Sequence, residues 1–233
     1  YKPKVIVHLA ALTDLDAGEK NPALAYHINT IGTYNVALAA REVKAKLVYI
    51  SSTGVFNGQK KFAYRETDTP RPENHYGHSK YAGELIIQSM LKDYIIARAC
   101  WMFGGGPDKD KKFVAKIIAQ LKKSDIDEIK ALRDVHGSPT YGKDLAQALK
   151  KLVQKNAKGV FHLTNKGSCT RFDVAQVIVE TLKPSVRVTP VDGNYFNLPA
   201  KRVINESAIS RVHLMRPWKE ALKEYLHTEW PTL

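Results

Sequence analysis

"KLVYISS", residues 46–52, is a short run of apolar and β-branched residues that ends in two hydroxyl side chains. A run of this length and composition predicts a strand buried on both faces, as in a parallel sheet. Three other stretches read the same way: "KVIVHLAA" (4–11), "DYIIARAC" (93–100) and "GVFHLT" (159–164). Helical patterns lie between them. Residues 21–44 form one, with Asn21 as its N-cap and Pro22 at its first position. Others cover 75–92, with Ala82, Leu85, Ile86 and Met90 on one face, then about 110–123, 144–155, 170–182 and 216–226. Short apolar strands alternating with helices predict an α/β fold, a doubly wound parallel sheet with helices on both faces. Ligands in such sheets sit at the carboxyl ends of the strands. Those ends are Ala10–Thr13, Ser51–Thr53 and Cys100–Gly104.

The 233 residues suffice for one sizeable core with a second small lobe. No run of eighteen apolar residues is present, so no membrane span is expected. The two cysteines, Cys100 and Cys169, lie far apart with no CxxC, which fits free thiols in a reducing, cytoplasmic setting. The net charge of +13 raises the question of nucleic acid. The lysines, however, are spread over many segments. The densest, "KDKKFVAK" (109–116) and "KEALKEYL" (219–226), read as solvated helix faces, and no nucleic-acid motif accompanies them. An anionic small substrate and cofactor account for the charge better. The eight histidines are scattered without HExxH, and GxSxG is absent, so neither a metal site nor a hydrolase elbow is expected.

The residues 53–74, rich in Gly, Pro, Asn and Asp, form a loop long enough to suggest function. It leads into "HYGHSKYAGE" (75–84), where Tyr76 and Lys80 stand four apart on one helix face. A free tyrosine titrates near ~10, too high for acid–base work near neutrality, and a nearby ammonium favours the phenolate. Tyr and Lys at this spacing are common on helices. The hydroxyls of Ser51, Ser52 and Thr53 at the preceding strand end turn the pair into a candidate proton-transfer site.

These segments together resemble the extended short-chain dehydrogenase/reductases, and among them the dTDP-4-dehydrorhamnose reductases, which reduce nucleotide-linked keto-sugars with NAD(P)H. The resemblance runs through "VIVHLAALTDLDAGEKNPALAYHIN" (5–29), "LVYISSTGVFNG" (47–58), "YRETDTPRPENHYGHSKYAGE" (64–84), "RACWMFG" (98–104), "HGSPTYGKDLA" (136–146), "GVFHLT" (159–164) and "RPWKEALKEYL" (216–226). It implies Tyr76 as the general acid for the sugar oxygen. Lys80 would lower the pKa of Tyr76 and bind the nicotinamide ribose, and Ser52 would hydrogen-bond the substrate carbonyl. Ala10, Ala11 and Asn29 would serve the cofactor, NADP or NAD, with Asn29 supporting the lysine through structure or water. Thr13 and Trp101 would face the sugar, although a Trp after a strand is also a common core residue. The partner implied is a nucleotide-linked keto-sugar, within a homodimer. Residues 1–164 would be the remainder of an NAD(P)-binding domain with a substrate-loop insertion at about 105–141, and 165–233 mainly a small substrate lobe.

Departures from the family pattern are specific. No GxxGxxG turn occurs, and register with the family begins only at its fourth strand. About the first quarter of the usual domain would then be missing, the chain being a fragment with little NAD(P)H binding of its own. Thr53-Gly54 stands where the reductases commonly have Asp-Tyr, and Lys112 where they often have Asn. Both changes bear on which sugar is taken. Epimerases and dehydratases share Ser52, Tyr76 and Lys80. A non-catalytic binding subunit like the beta subunit of methionine adenosyltransferase is the reading from another class.

Overall fold

The computed structural model describes residues 1–231. In chain order the strands are β1 (Val5–His8), β2 (Lys46–Ser52), β3 (Tyr94–Ala99), β4 (Met102–Phe103), β5 (Glu128–Leu132), β6 (His136–Gly137), β7 (Thr140–Tyr141), β8 (Gly159–His162), β9 (Cys169–Thr170) and β10 (Arg187–Val191). The helices are α1 (Leu15–Lys20), α2 (Pro22–Tyr26), α3 (Gly32–Glu42), α4 (His75–Met90), α5 (Gly106–Lys109), α6 (Phe113–Leu121), α7 (Gly142–Gln154), α8 (Arg171–Leu182) and α9 (Trp218–Glu229).

The four strands expected from sequence form one sheet, in the order β1-β2-β3-β8, with every pair parallel. Alternation along β2 and β3 sends side chains to two separate cores. Leu47, Tyr49 and Ile96 pack with Ala37, Ala40 and Ile87 of α3 and α4 on one face. Val48, Ile95 and Ala97 pack with Leu145, Ala148 and Leu152 of α7 on the other. The doubly wound parallel architecture is therefore present.

Asn21 caps α2 as its sequence suggests, its side chain accepting from Leu24 N at 3.1 Å. The predicted single helix over 21–44 is instead α2 and α3 joined by a π-turn at His27–Ile31. The extra residue per turn there accompanies a buried Asn29, whose side chain reaches out to neighbouring segments.

The buried face of α4 differs from the expected apolar stripe. Leu85 is about half exposed, and the buried positions are Gly77, Ser79, Lys80, Gly83, Glu84 and Ile87. The reason is close approach. A Cβ at Gly77 would lie 2.2 Å from Gly54 O, and one at Gly83 would lie 2.7 Å from the Tyr49 hydroxyl. Two missing side chains let α4 sink onto the sheet and bury polar groups beneath it.

A second core joins segments distant in sequence: α6, β5, β7, α8 and α9 meet around Ile118, Ile129, Ile178, Leu222 and Tyr225. Its β5 and β10 pair in parallel and were not foreseen. "EIKAL" is short and half charged, and Pro190 within "RVTPV" argues locally against a strand.

We expect Gly77→Ala to destabilise the chain by about 1–3 kcal/mol, since backbone carbonyl oxygen blocks the new methyl group. Leu85→Ala should stay within about 0.5 kcal/mol. Urea unfolding of both variants checks the difference.

Candidate active site

The site is assembled where α4 begins against the end of β2. Asn74 caps α4, its Oδ1 accepting from Gly77 N at 2.8 Å. The turn after β2 is a single 3₁₀ turn, Thr53–Val55, whose first orphan donor is satisfied by Ser52: Gly54 N donates to Ser52 Oγ at 3.0 Å. The contact of Gly77 with Gly54 brings these two caps together. The ring of Tyr76 then lies over Gly54, where a Cβ would be 3.5 Å from its Cε1. Ser52 and Tyr76 are thus neighbours, and Lys80 follows one turn along the same helix.

Burial dominates the electrostatics. It pushes the Tyr76 phenol up to about 12, with the Ser52 hydroxyl pulling the other way and the charges of Glu206 and Cys100 adding to the rise. Lys80 is 2% exposed and burial pulls its ammonium down to about 7, Glu84 opposing. The expectation that Lys80 lowers Tyr76 does not describe the chain by itself. Lys80 Nζ sits over the Tyr49 ring, 4.1 Å from its centroid, and makes no hydrogen bond or ion pair among the described residues. Tyr76 is a protonated phenol throughout the neutral range, which suits a proton donor.

Beneath Lys80 lies a buried charged network. Glu84 Oε1 accepts from Ser51 Oγ at 2.5 Å and from Arg98 Nε at 2.9 Å, while its Oε2 accepts from Arg98 Nη2 at 2.7 Å. The bidentate pair ties α4 to β2 and β3 at once.

The remaining expected residues are placed as follows. Ala10 is exposed and Ala11 half-buried at the end of β1. Asn29 is fully buried and its amide is occupied: Oδ1 accepts from Leu12 N at 2.8 Å, and Nδ2 donates to Leu12 O and to Ser79 Oγ. It therefore pins the backbone after Ala10–Ala11 to the helix that carries Lys80, and touches Lys80 only through that helix. Thr13 is exposed and its Oγ1 accepts from Lys112 Nζ at 2.7 Å, linking the end of β1 to the start of α6. Trp101 has a left-handed backbone, φ +40°, uncommon for a bulky residue. Its indole is packed on Gly137, where a Cβ would come within 2.3 Å.

Sequence reasoning missed Arg171 and Glu206. The Arg171 guanidinium lies 3.7 Å from the Trp101 ring centroid and 4.7 Å from that of Phe113. Burial lowers it to about 10 against the pull of Glu206. Burial raises the Glu206 carboxyl, and Arg171 and Arg202 oppose that rise. Arg171 is the first residue of α8, where a cation opposes the helix dipole. That local anomaly is a signal the sequence did contain; Glu206, in an irregular segment, offered none. His162, by contrast, is packed in β8, with Nδ1 3.2 Å from Tyr64 O.

Comparison with known proteins places this geometry. Residues 1–230 match the RmlD substrate binding domain. The spore coat polysaccharide biosynthesis protein SpsK of Bacillus subtilis is 37% identical over 231 residues, covering 97% of this chain and 80% of that protein. A dTDP-4-dehydrorhamnose reductase of Mycobacterium tuberculosis (strain H37Rv) is 33% identical, covering 94% and 74%. The crystal structure of the dTDP-4-dehydrorhamnose reductase of Bacillus anthracis in complex with NADP superposes with a TM-score of 0.90 at 36% identity, covering 97% of this chain and 80% of that one.

The burial of Lys80 makes a prediction about stability. Its pKa falls from 10.5 unfolded to about 7 folded, so between those values the unfolded chain binds more protons. Stability conferred at this position is therefore lost as pH drops from 10.5 to 7 and is level below. Lys80→Met should stabilise the cofactor-free chain most below pH 7, with the gain shrinking toward pH 10.5. Urea unfolding across this range measures it.

Proposed function

The chain belongs to the RmlD substrate binding domain family, and from that premise we propose that it reduces the keto group of a 4-keto-6-deoxy sugar nucleotide with NADPH. The observation that carries this is the meeting of Ser52 and Tyr76 at the Gly54–Gly77 contact, with the unengaged Lys80 ammonium one turn on. The names of the M. tuberculosis and B. anthracis relatives, and the NADP bound by the latter, support the substrate and cofactor classes.

The residues present fit the nicotinamide end of a dinucleotide. Lys80 Nζ has donors to offer a ribose, and Ala10–Ala11 leave backbone accessible at the strand end. The chemistry such a cofactor would supply there is hydride donation to the carbonyl carbon. Ser52 Oγ, fixed by Gly54 N, donates a hydrogen bond to the carbonyl oxygen and orients it. Tyr76 gives that oxygen its proton as negative charge develops, so ketone, hydride and proton balance to alcohol. Lys80, in its ammonium form, then favours the phenolate left behind. In this reading Thr13, Trp101 and Arg171 are the residues that face the sugar. On the same reading residues 1–164 are the remainder of the cofactor-binding domain, with a substrate-loop insertion at about 105–141, and 165–233, whose last two residues lie outside the described ones, are mainly the small substrate lobe. The free, buried Cys100 and Cys169 support a cytoplasmic setting, and the family resemblance supports a homodimer.

The test is NADPH oxidation by the full-length protein with dTDP-4-keto-6-deoxyhexose. Tyr76→Phe should lower kcat by about 10²–10⁴-fold with dTDP-sugar binding retained. Turnover with no keto-sugar, together with capture of a protein partner, would instead favour the binding-subunit reading.

A further inference from the structure

We propose that Tyr49 is a positioning residue, whose ring face favours the ammonium form of Lys80 on the side of α4 that carries Tyr76. Lys80 is almost wholly buried, and a buried ammonium requires a partner. The nearest carboxylate on its own helix, Glu84, has both oxygens engaged by Ser51 and Arg98. Ser79 donates to Tyr76 O and accepts from Asn29, so it is engaged too. The partner the structure provides is a π-face: Nζ stands 4.1 Å from the Tyr49 centroid, within the range of a cation–π contact, which strengthens on desolvation.

The ring is built into place. Tyr49 is at the middle of β2, in register with His8 of β1 and Ile96 of β3. His8 stacks on it with ring centroids 5.5 Å apart and is itself held by Thr33 at 3.1 Å. Above it, Gly83 leaves the space that the phenol fills, since a Cβ there would meet the Tyr49 hydroxyl at 2.7 Å and Cζ at 3.2 Å. That hydroxyl points to Lys80 O at 3.4 Å. The phenol does not serve as an acid: burial, helped by the charges of Glu84 and Tyr76, drives its pKa well above the ordinary tyrosine value. The other titratable groups facing Lys80 are Tyr76 and Glu84 on α4, His8 on β1 and, through Glu84, Arg98 on β3. His8 is kept neutral by burial and by Lys80 itself. Tyr49 therefore acts through its ring quadrupole, which favours the ammonium over the amine.

The catalytic consequence rests on the reductase reading; the electrostatic claim does not. The experiment is an NMR titration of Lys80 in the full chain without cofactor, with lysines isotope-labelled and Lys80→Met assigning the signal. Tyr49→Phe, which keeps the ring, should titrate with wild type. Tyr49→Leu should titrate about one pH unit lower. Should the Leu variant fail to fold, Tyr49 replaced by 4-fluoro-, 3,5-difluoro- and 3,4,5-trifluorophenylalanine keeps the shape and drains the ring face. Lys80 should then titrate progressively lower with each fluorine. An unchanged titration in Tyr49→Leu or along the fluorinated series, or a fall in Tyr49→Phe as large as in Tyr49→Leu, overturns the proposal. In NADPH oxidation the alkaline limb of kcat/KM should move down with the Lys80 titration in the same variants. A shifted titration in a chain that reduces no keto-sugar would refute the reductase reading and leave the Tyr49 assignment standing.

Discussion

The Glu84–Arg98 pair is the constraint around which the site is arranged. Both side chains are almost completely withdrawn from water, and their bidentate contact joins α4 to β3 while Ser51 brings in β2. Such a pair is a poor source of stability, because desolvating two charges offsets most of their attraction. Its value here is registry. Glu84 can meet both Ser51 and Arg98 only if α4 sits at one depth and one rotation over the sheet. That rotation turns Tyr76 toward Ser52 and Lys80 toward Tyr49. Occupying Glu84 with Arg98 also withholds it from Lys80, which leaves the lysine with an uncharged partner and unengaged donors.

The glycines of α4 belong to the same constraint. Gly77 and Gly83 have ordinary helical backbone, so it is the closeness of Gly54 O and the Tyr49 hydroxyl, not a special dihedral angle, that excludes a side chain. A helix that lies this near to a sheet can bury Lys80, Glu84 and Ser79 together. The raised Tyr76 and lowered Lys80 have one physical origin, the loss of water around both. A raised phenol stays protonated until charge appears on the substrate oxygen, which is the condition a proton donor to a keto group needs.

Trp101, at the end of β3, is bent into the left-handed region and held there by Gly137 and Arg171. The residues that meet it come from β6 and α8, far along the chain. Strain of this kind persists only where surrounding contacts determine it, and here it stacks an aromatic ring against a guanidinium. The parallel pairing of β5 with β10 likewise joins segments far apart in the chain.

Much of this protein is determined locally. The β-branched runs, the Asn21–Pro22 helix start, the hydroxyls after β2 and the Tyr76–Lys80 spacing follow from short-range chemistry: burial of apolar strands, satisfaction of helix-end donors and the period of a helix. These are properties of contiguous residues, so the four-stranded parallel sheet and the core of the site were legible from them. Tyr49 was legible only as a strand residue, within the same "KLVYISS" that announces the sheet. Its contact with Lys80, the depth of α4, the pairing of Glu84 with Arg98, the Arg171–Trp101 stack and the β5–β10 ladder were decided by the tertiary structure. The reason is physical: each depends on how closely two distant backbones approach, and that distance is set by packing between segments, which no local pattern of residues encodes.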